Sequence, residues 1–346
     1  IDLAKAARRN FKGKVLAVTG SVGKTTTKEM LKLALSEVTK VYANKGNYNN
    51  NIGMPLSLAN LDNSYSVAIF ELGMNKEGEI KTLTNILKPH LAIITEVSNT
   101  HSAFFNSLKD IFLAKMEVIL GLISPRIFLF NFNNSFFKQA KNIVETKNIE
   151  MYSFGEEAKN NTENLTALTE AAHYTATKAN FILLTSNIIT KQSTNNIEFI
   201  QEITAKINKK IYKYTLPTLA EHKGILSVLV LGVVDLLGLN VEKAKNSLSN
   251  YYDIDGRGAI TKVTLNKGTQ LTRSSFFLID DSYNASPLSM QKSILMLQNI
   301  NVAARKILVL GDMLELKDQF LEHRKLKEYI LAVKPSAVFT LGIAMQ

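Results

Sequence analysis

Cysteine is missing altogether. Its absence excludes disulfides and any cysteine-ligated metal. Long apolar runs are missing too: the longest stretch, residues 225–239, contains Asp235 and is too short to span a bilayer comfortably. No signal peptide opens the chain, which begins at Ile1 rather than methionine. A cytoplasmic protein is expected, read as a segment of a longer one. Lysine and arginine outnumber aspartate and glutamate 41 to 30, for a net charge of +11. The lysines are scattered, with no basic run and no aromatic–basic RNA motif. The charge suits anionic ligands, and no nucleic-acid partner is expected. Internal repeats and long low-complexity tracts are also absent. What is present, 346 residues of 46% hydrophobic content, can bury a real core in two domains.

The rest of the chain is organised around residues 15–30, VLAVTGSVGKTTTKEM. Val15, Leu16, Ala17 and Val18 form a short apolar run that suits a buried strand. A glycine-rich turn follows, and Lys24 opens a helix. Strand, glycine turn and helix with Lys-Thr at its start give a phosphate loop its physical context. Gly20, Ser21, Val22 and Gly23 let backbone N–H groups close around phosphate oxygens, and the helix N-terminus adds to the attraction. Lys24 is expected on the terminal phosphates, Thr25 on Mg²⁺, and Thr26 beside them. The ordinary alternative is a plain glycine turn, since the first glycine of the longer phosphate-loop pattern is replaced by Val18.

Three further stretches carry polar groups that a core cannot explain. Residues 43–58 read ANKGNYNNNIGMPLSL; Asn47, Asn50 and Asn51 are candidates to line a polar substrate site, against the alternative of a plain polar loop. Residues 66–70 read as a strand that ends at Glu71, with Asn75 just beyond. A carboxylate at that end of a strand in an α/β sheet lies where such folds put their chemistry, and with Thr25 it could complete an oxygen shell for Mg²⁺. Residues 91–97 read as a strand leading to the His101 loop. Ser107 caps the next helix, on which Leu108, Ile111, Phe112, Lys115 and Ile119 share a stripe. Lys115 therefore falls on a face that should be buried. It must find an anion such as Glu117, lose its proton, be modified, or snorkel to the surface.

Strand 127–130 comes next, then a β-rich stretch over 151–215 and an apolar helix over 225–237 preceded by His222. Residues 253–258 (DIDGRG) read as a hinge, with Arg257 free to reach an anion. Beyond it, strands at 276–279, 306–310 and 337–341 alternate with helices, which predicts a mostly parallel sheet. The fold class is α/β.

In chain order, TGSVGKTTTKEM, GNYNNNIGMPLSL, FELGMNKEGEI, the His101 loop with AKMEV, DGR, LIDDSYNASPLSM and VLGDMLEL resemble the Mur ligases. Among these, the set is most similar to the branch that adds D-alanyl-D-alanine to UDP-N-acetylmuramoyl-tripeptide in cytoplasmic peptidoglycan precursor synthesis. The resemblance implies a phosphate-loop central domain over 1–258 and an incomplete Rossmann-like domain over 259–346, without the N-terminal UDP domain. It implies ATP and Mg²⁺, an acyl-phosphate intermediate and a monomer. By matching positions it puts Lys24 and Thr25 on the phosphates and metal, Glu71 on the same metal, and His101 on a second one. Lys115 becomes a carbamoylated metal ligand, Arg257 a phosphate ligand, Asp281 a neighbour of the ribose, and Asn284 a neighbour of the reacting phosphate. His222 falls near adenine, where the family's Gly-x-His-Asn-x-x-Asn reads Ala220-Glu221-His222-Lys223-Gly224-Ile225-Leu226. The alternatives are an inactive ligase fragment that at most binds nucleotide, and a non-catalytic nucleotide-binding regulator.

Overall fold

The computed structural model describes residues 1–157, 180–192, 197–266, 273–300 and 304–346. Six parallel strands lie side by side: β2 (Val41–Ala43), β3 (Val67–Glu71), β1 (Lys14–Thr19), β4 (Leu91–Ile94), β5 (Ile127–Asn131) and β6 (Glu150–Glu156). β7 (Phe181–Gln192) continues them in parallel, and β8 (Ile197–Ile207) and β9 (Lys210–Leu216) add an antiparallel edge. The result is one sheet of nine strands among the described residues. Residues 158–179 and 193–196, part of the stretch read as β-rich, lie outside the described residues.

β1 shows why the sequence gives a continuous apolar run there. Val15 and Ala17 face one core, with Phe70, Ile111 and Phe112. Leu16 and Val18 face the other, with Met30, Leu31 and Leu229. A strand covered on both faces has no polar side to alternate with. The covering helices include α1 (Asp2–Asn10), α2 (Lys24–Ser36), α3 (Gly53–Ala59), α4 (Glu79–Leu87), α5 (Leu108–Met116) and α6 (Phe137–Glu145). On α1 Arg8 is buried, and it donates to the carbonyls of Leu87 and Lys88 at 2.6 and 2.7 Å. That satisfies two carbonyl groups at the C-terminal end of α4.

Two boundaries differ from the sequence reading. The strand expected over 91–97 ends at Ile94, because Thr95 turns to the phosphate loop. The helix expected from 225 is α7 (His222–Leu236), so His222 lies in its first turn rather than ahead of it. α8 (Val241–Ser247) packs beside it.

After Gly258 the pairing changes. β10 (Ala259–Asn266), which the sequence did not reveal, pairs antiparallel with β11 (Arg273–Asp280). The Asp280 backbone carbonyl accepts from Gly258 N–H at 2.7 Å and its carboxylate from Gly256 N–H at 3.2 Å, closing the entry to this ladder. The only parallel pair beyond 258 among the described residues is β12 (Ile307–Gly311) with β13 (Ala337–Leu341). α9 (Pro287–Met296) and α10 (Gln319–Val333) share a small core with them, built on Ile294, Leu308, Leu310, Met313 and Leu326.

Candidate active site

The turn after β1 is shaped by two glycines. Gly20 has φ +148° and lies against the Thr95 hydroxyl, so a side chain there meets both strain and a clash; Gly23, at φ +86°, leads into α2. The turn is strapped to the chain leaving β4. Ser21 N–H donates to the Glu96 carbonyl at 2.7 Å, the Ser21 hydroxyl to the Ser98 carbonyl at 3.0 Å, and the Thr95 hydroxyl to the Val22 carbonyl at 2.6 Å. Lys24 donates to the Gly20 and Ser21 carbonyls at 2.8 and 3.3 Å. Burial lowers its pKa, opposed by Glu71 and reinforced by Arg257. A phosphate group brought to this loop supplies the anion that a buried ammonium lacks.

Glu71 closes the next part. One carboxylate oxygen accepts from the Thr25 hydroxyl at 2.8 Å and the other from Asn49 Nδ2, also at 2.8 Å. Oxygen donors of this kind suit a hard cation whose remaining contacts are water and phosphate oxygens, so Thr25 and Glu71 fit Mg²⁺. Asn49 was missed by the sequence reading, which chose its neighbours. Asn47, Asn50, Asn51 and Asn75 do line the same crevice. Asn50, however, uses its carbonyl oxygen to accept from Ile52 and Gly53 N–H at the start of α3, a structural duty. Nothing in a run of asparagines tells which one faces inward.

Lys115 and His101 lie in this crevice as well. The stripe on α5 is real: Ile111, Phe112 and Lys115 are buried together. Lys115 has no hydrogen-bond or ion-pair partner among the described residues, and burial, with Lys24 adding to it, holds its pKa well below the usual lysine value. Glu117 is not its partner. That carboxylate accepts from Gly78 and Lys81 N–H, holding the start of α4. His101 Nδ1 meets Glu315 Oε2 at 2.5 Å, from the far side of the crevice. Burial lowers the histidine's pKa against the pull of Glu315. Among the described residues no three His, Asp or Glu side chains gather as a metal cage.

The opposite wall comes from α7 and the segment after the hinge. His222, Arg257, Asp281 and Asn284 all line the crevice, whose volume of about 510 Å³ is in the range of small-molecule sites. Burial, then Lys292 and Lys223, push the His222 pKa well down, which leaves a neutral ring. The Arg257 guanidinium stacks 4.0 Å over the Tyr283 ring. Asp281 accepts from the Ser293 hydroxyl, and Asn284 Oδ1 accepts from Ala285 N–H. Lys223 also lines the crevice, and its ammonium is held in a buried pair with Asp253 at 2.5 Å and by the Arg257 carbonyl at 2.9 Å.

A family model described as the Mur ligase middle domain matches residues 18–215. The UDP-N-acetylmuramoyl-tripeptide–D-alanyl-D-alanine ligase of Rickettsia prowazekii is 33% identical over 98% of the chain and 68% of its own length. The Bacillus subtilis enzyme of that name is 29% identical over 99% and 65%. The chain thus spans about two thirds of the curated relatives it matches. Among solved structures, MurF from Acinetobacter baumannii superposes with a TM-score of 0.80 at 24% identity, covering 99% of this chain and 66% of that one. MurF from Thermotoga maritima, solved in complex with ADP, gives 0.72 at 23% identity, over 99% and 74%. These two likenesses establish a shared fold, and with the family model and the Rickettsia relative they place the chain in the Mur ligase family.

Proposed function

We propose that this chain is the ATP-binding and catalytic part of a ligase that joins D-alanyl-D-alanine to UDP-N-acetylmuramoyl-tripeptide in the cytoplasm, acting as a monomer. The substrates follow the names of the relatives. The change of sheet between β9 and β10 supports a division near Gly258 into a central and a C-terminal domain.

Lys115 carries this reading. It is a buried, partnerless amine in the same crevice as the phosphate loop, Glu71 and His101. Burial keeps a fraction of it as the free amine. Its nitrogen lone pair can attack CO₂, forming a carbamate and releasing a proton, which turns an isolated cation into an anion beside His101. Lys24 and the loop N–H groups hold the terminal phosphates. The tripeptide carboxylate attacks the γ-phosphorus and ADP leaves. The D-alanyl-D-alanine amine then attacks the acyl carbon, loses a proton, and phosphate departs. Activation is needed because a carboxylate oxygen is a poor leaving group and phosphate a good one. Mg²⁺ on Thr25 and Glu71 supplies charge neutralisation on the phosphates. Asn47, Asn51 and Asn75 offer amides to the tripeptide, and His222, Arg257, Asp281 and Asn284 surround the nucleotide.

The test is ADP release measured with UDP-N-acetylmuramoyl-tripeptide and D-alanyl-D-alanine, added singly and together, with the amide product identified by mass. Release that requires both substrates and is lost in Lys24→Ala supports the ligase. Release indifferent to the dipeptide overturns it.

A further inference from the structure

We propose that Lys28 is a positioning residue for the Glu71 carboxylate, acting through the loop that carries Asn49. The inference rests on the ligase reading only in giving that carboxylate a Mg·nucleotide to serve.

Lys28 is the fully buried lysine of α2, three residues beyond Thr25. Residues three apart lie on one helix face, so the Thr25 hydroxyl and the Lys28 stem start from the same side. The ammonium donates to the Asn44 carbonyl at 2.8 Å and the Gly46 carbonyl at 3.2 Å, and pairs with Glu29 at 3.1 Å. A buried charge needs such partners. Two of the three are backbone oxygens of one loop.

Beyond Lys28, the loop is held mainly at its two ends, by Asn44 and Asn49. Residues 45–48 are exposed, and Asn44 is its buried anchor. Asn44 uses its amide on both sides: Oδ1 accepts from Glu71 N–H at 2.9 Å, and Nδ2 donates to the Tyr48 carbonyl at 2.9 Å. One residue on, Asn49 donates to Glu71 Oε1, and its carbonyl accepts from Gly73 N–H. The contacts form a closed ring. It runs from Thr25 on α2 to Glu71 on β3, through Asn49 to the loop, and through Lys28 back to α2.

A hydrogen bond to each carboxylate oxygen leaves Glu71 one orientation. Release of the loop frees Oε1 and lets the group rotate. Mg²⁺ demands near-ideal geometry, so it should feel that loss more than the phosphates do, since their own loop is untouched. A merely structural lysine would instead lower stability and leave the metal dependence alone.

The experiment uses the 346-residue chain. ADP binding is measured by calorimetry in EDTA and across a Mg²⁺ series, and amide exchange of residues 44–51 is followed without nucleotide. In Lys28→Met we expect ADP affinity in EDTA within twofold of the parent, about tenfold more Mg²⁺ for half-maximal tightening, and faster exchange over 44–51. Asn49→Ala should give the same Mg²⁺ shift without disturbing the rest of the loop. The double variant should shift no further than either single, because both break one ring. Additive shifts, equal losses in EDTA and Mg²⁺, or unchanged exchange would overturn the proposal. If Lys28→Met does not fold, Lys28→Gln, which keeps an uncharged amide donor on a shorter side chain, must fall between parent and Asn49→Ala, and a parental value overturns the role. Parent protein whose ADP binding ignores Mg²⁺ overturns the metal reading of Glu71 and this role with it. Parental Mg²⁺ response with no change in the variants overturns Lys28 alone.

Discussion

The two halves of the crevice are built to different standards. On one side β1, β3 and β4 are covered on both faces, and Phe70 and Ile93 are fully buried. On the other, β12 alternates buried and exposed, with Val309 76% exposed, and β13 is largely uncovered: Phe339 and Leu341 are 60% and 77% exposed. The phosphate loop, Glu71 and Lys115 all hang from the rigid side. The lightly packed side supplies Arg257, Glu315 and Asn284, and it is held by a small apolar cluster of Phe199, Leu219, Ala220 and Met296 together with a few polar contacts. Phosphate handling should therefore be insensitive to the C-terminal core, while alignment across the crevice should depend on those contacts.

The largest effect should come from the rigid side. Lys115→Ala removes the amine proposed to form the carbamate and should lower turnover by about 10²–10³-fold or more, as loss of a main electrostatic group does. Formate or acetate should restore part of it by standing in for the carbamate. An active Lys115→Arg with no rescue of the alanine variant would mean that a plain cation suffices.

The contrast in packing itself is next. Phe70→Ala in β3 should cost about 3–5 kcal/mol, as for a large buried aromatic. Phe339→Ala in β13 should change stability by no more than about 0.5 kcal/mol. Urea titrations of both variants compare the halves directly, and a costly Phe339→Ala would show that β13 is covered in solution.

Lys223 and Asp253 tie the segment leading to Gly258 to α7. Burial raises the Asp253 pKa, with Lys223 and the hydroxyls of Thr218 and Tyr251 pulling it down. Lys223→Met strands that carboxylate, which should cost about 3–5 kcal/mol at neutral pH. A raised carboxylate pKa means that the folded state holds a proton the unfolded state has lost. Stability of the variant should therefore recover as pH falls from the raised value towards the ordinary carboxylate value. The measurement is urea midpoint against pH. A flat profile would mean that Asp253 finds another partner.

How much of this could be read beforehand follows the same division. On the rigid side, local pattern decides: β1 is an apolar run because both faces are covered, and the stripe on α5 places Lys115 inward. Glu71 is legible because a strand ends there. The choice of Asn49 over Asn50 is not, since it depends on the path of a loop held by Lys28 and Asn44. Across the crevice, pattern gives still less. β10 carries no clear alternation, and its ladder with β11 depends on pairing with a strand further along the chain. Glu315 meets His101 from 214 residues away, a distance over which no spacing rule operates.

The smallest effect should be at that contact. Glu315 also holds Ala103 N–H through its backbone carbonyl, and Lys317 N–H donates to the Ser102 hydroxyl, so Glu315→Gln loses only the carboxylate. The side chains of His101 and Glu315 are 25% and 44% exposed, which screens the pair and limits it to about 1 kcal/mol or less. Burial, Lys24 and Lys115 lower the His101 pKa, and Glu315 partly opposes them. A histidine pKa depressed on folding means that stability is lost as pH falls through the ordinary histidine value towards the depressed one. Removing Glu315 depresses it further, so the variant should lose more over that range. The difference between parent and Glu315→Gln should be slight above neutrality, where both rings are neutral, and should grow towards pH 5.5. Added salt should shrink it. A difference that stays constant with pH would make the contact an ordinary hydrogen bond rather than a charged one, and a difference above 2 kcal/mol, far beyond the roughly 1 kcal/mol of an exposed pair, would mean that the two halves are joined more tightly than their packing implies.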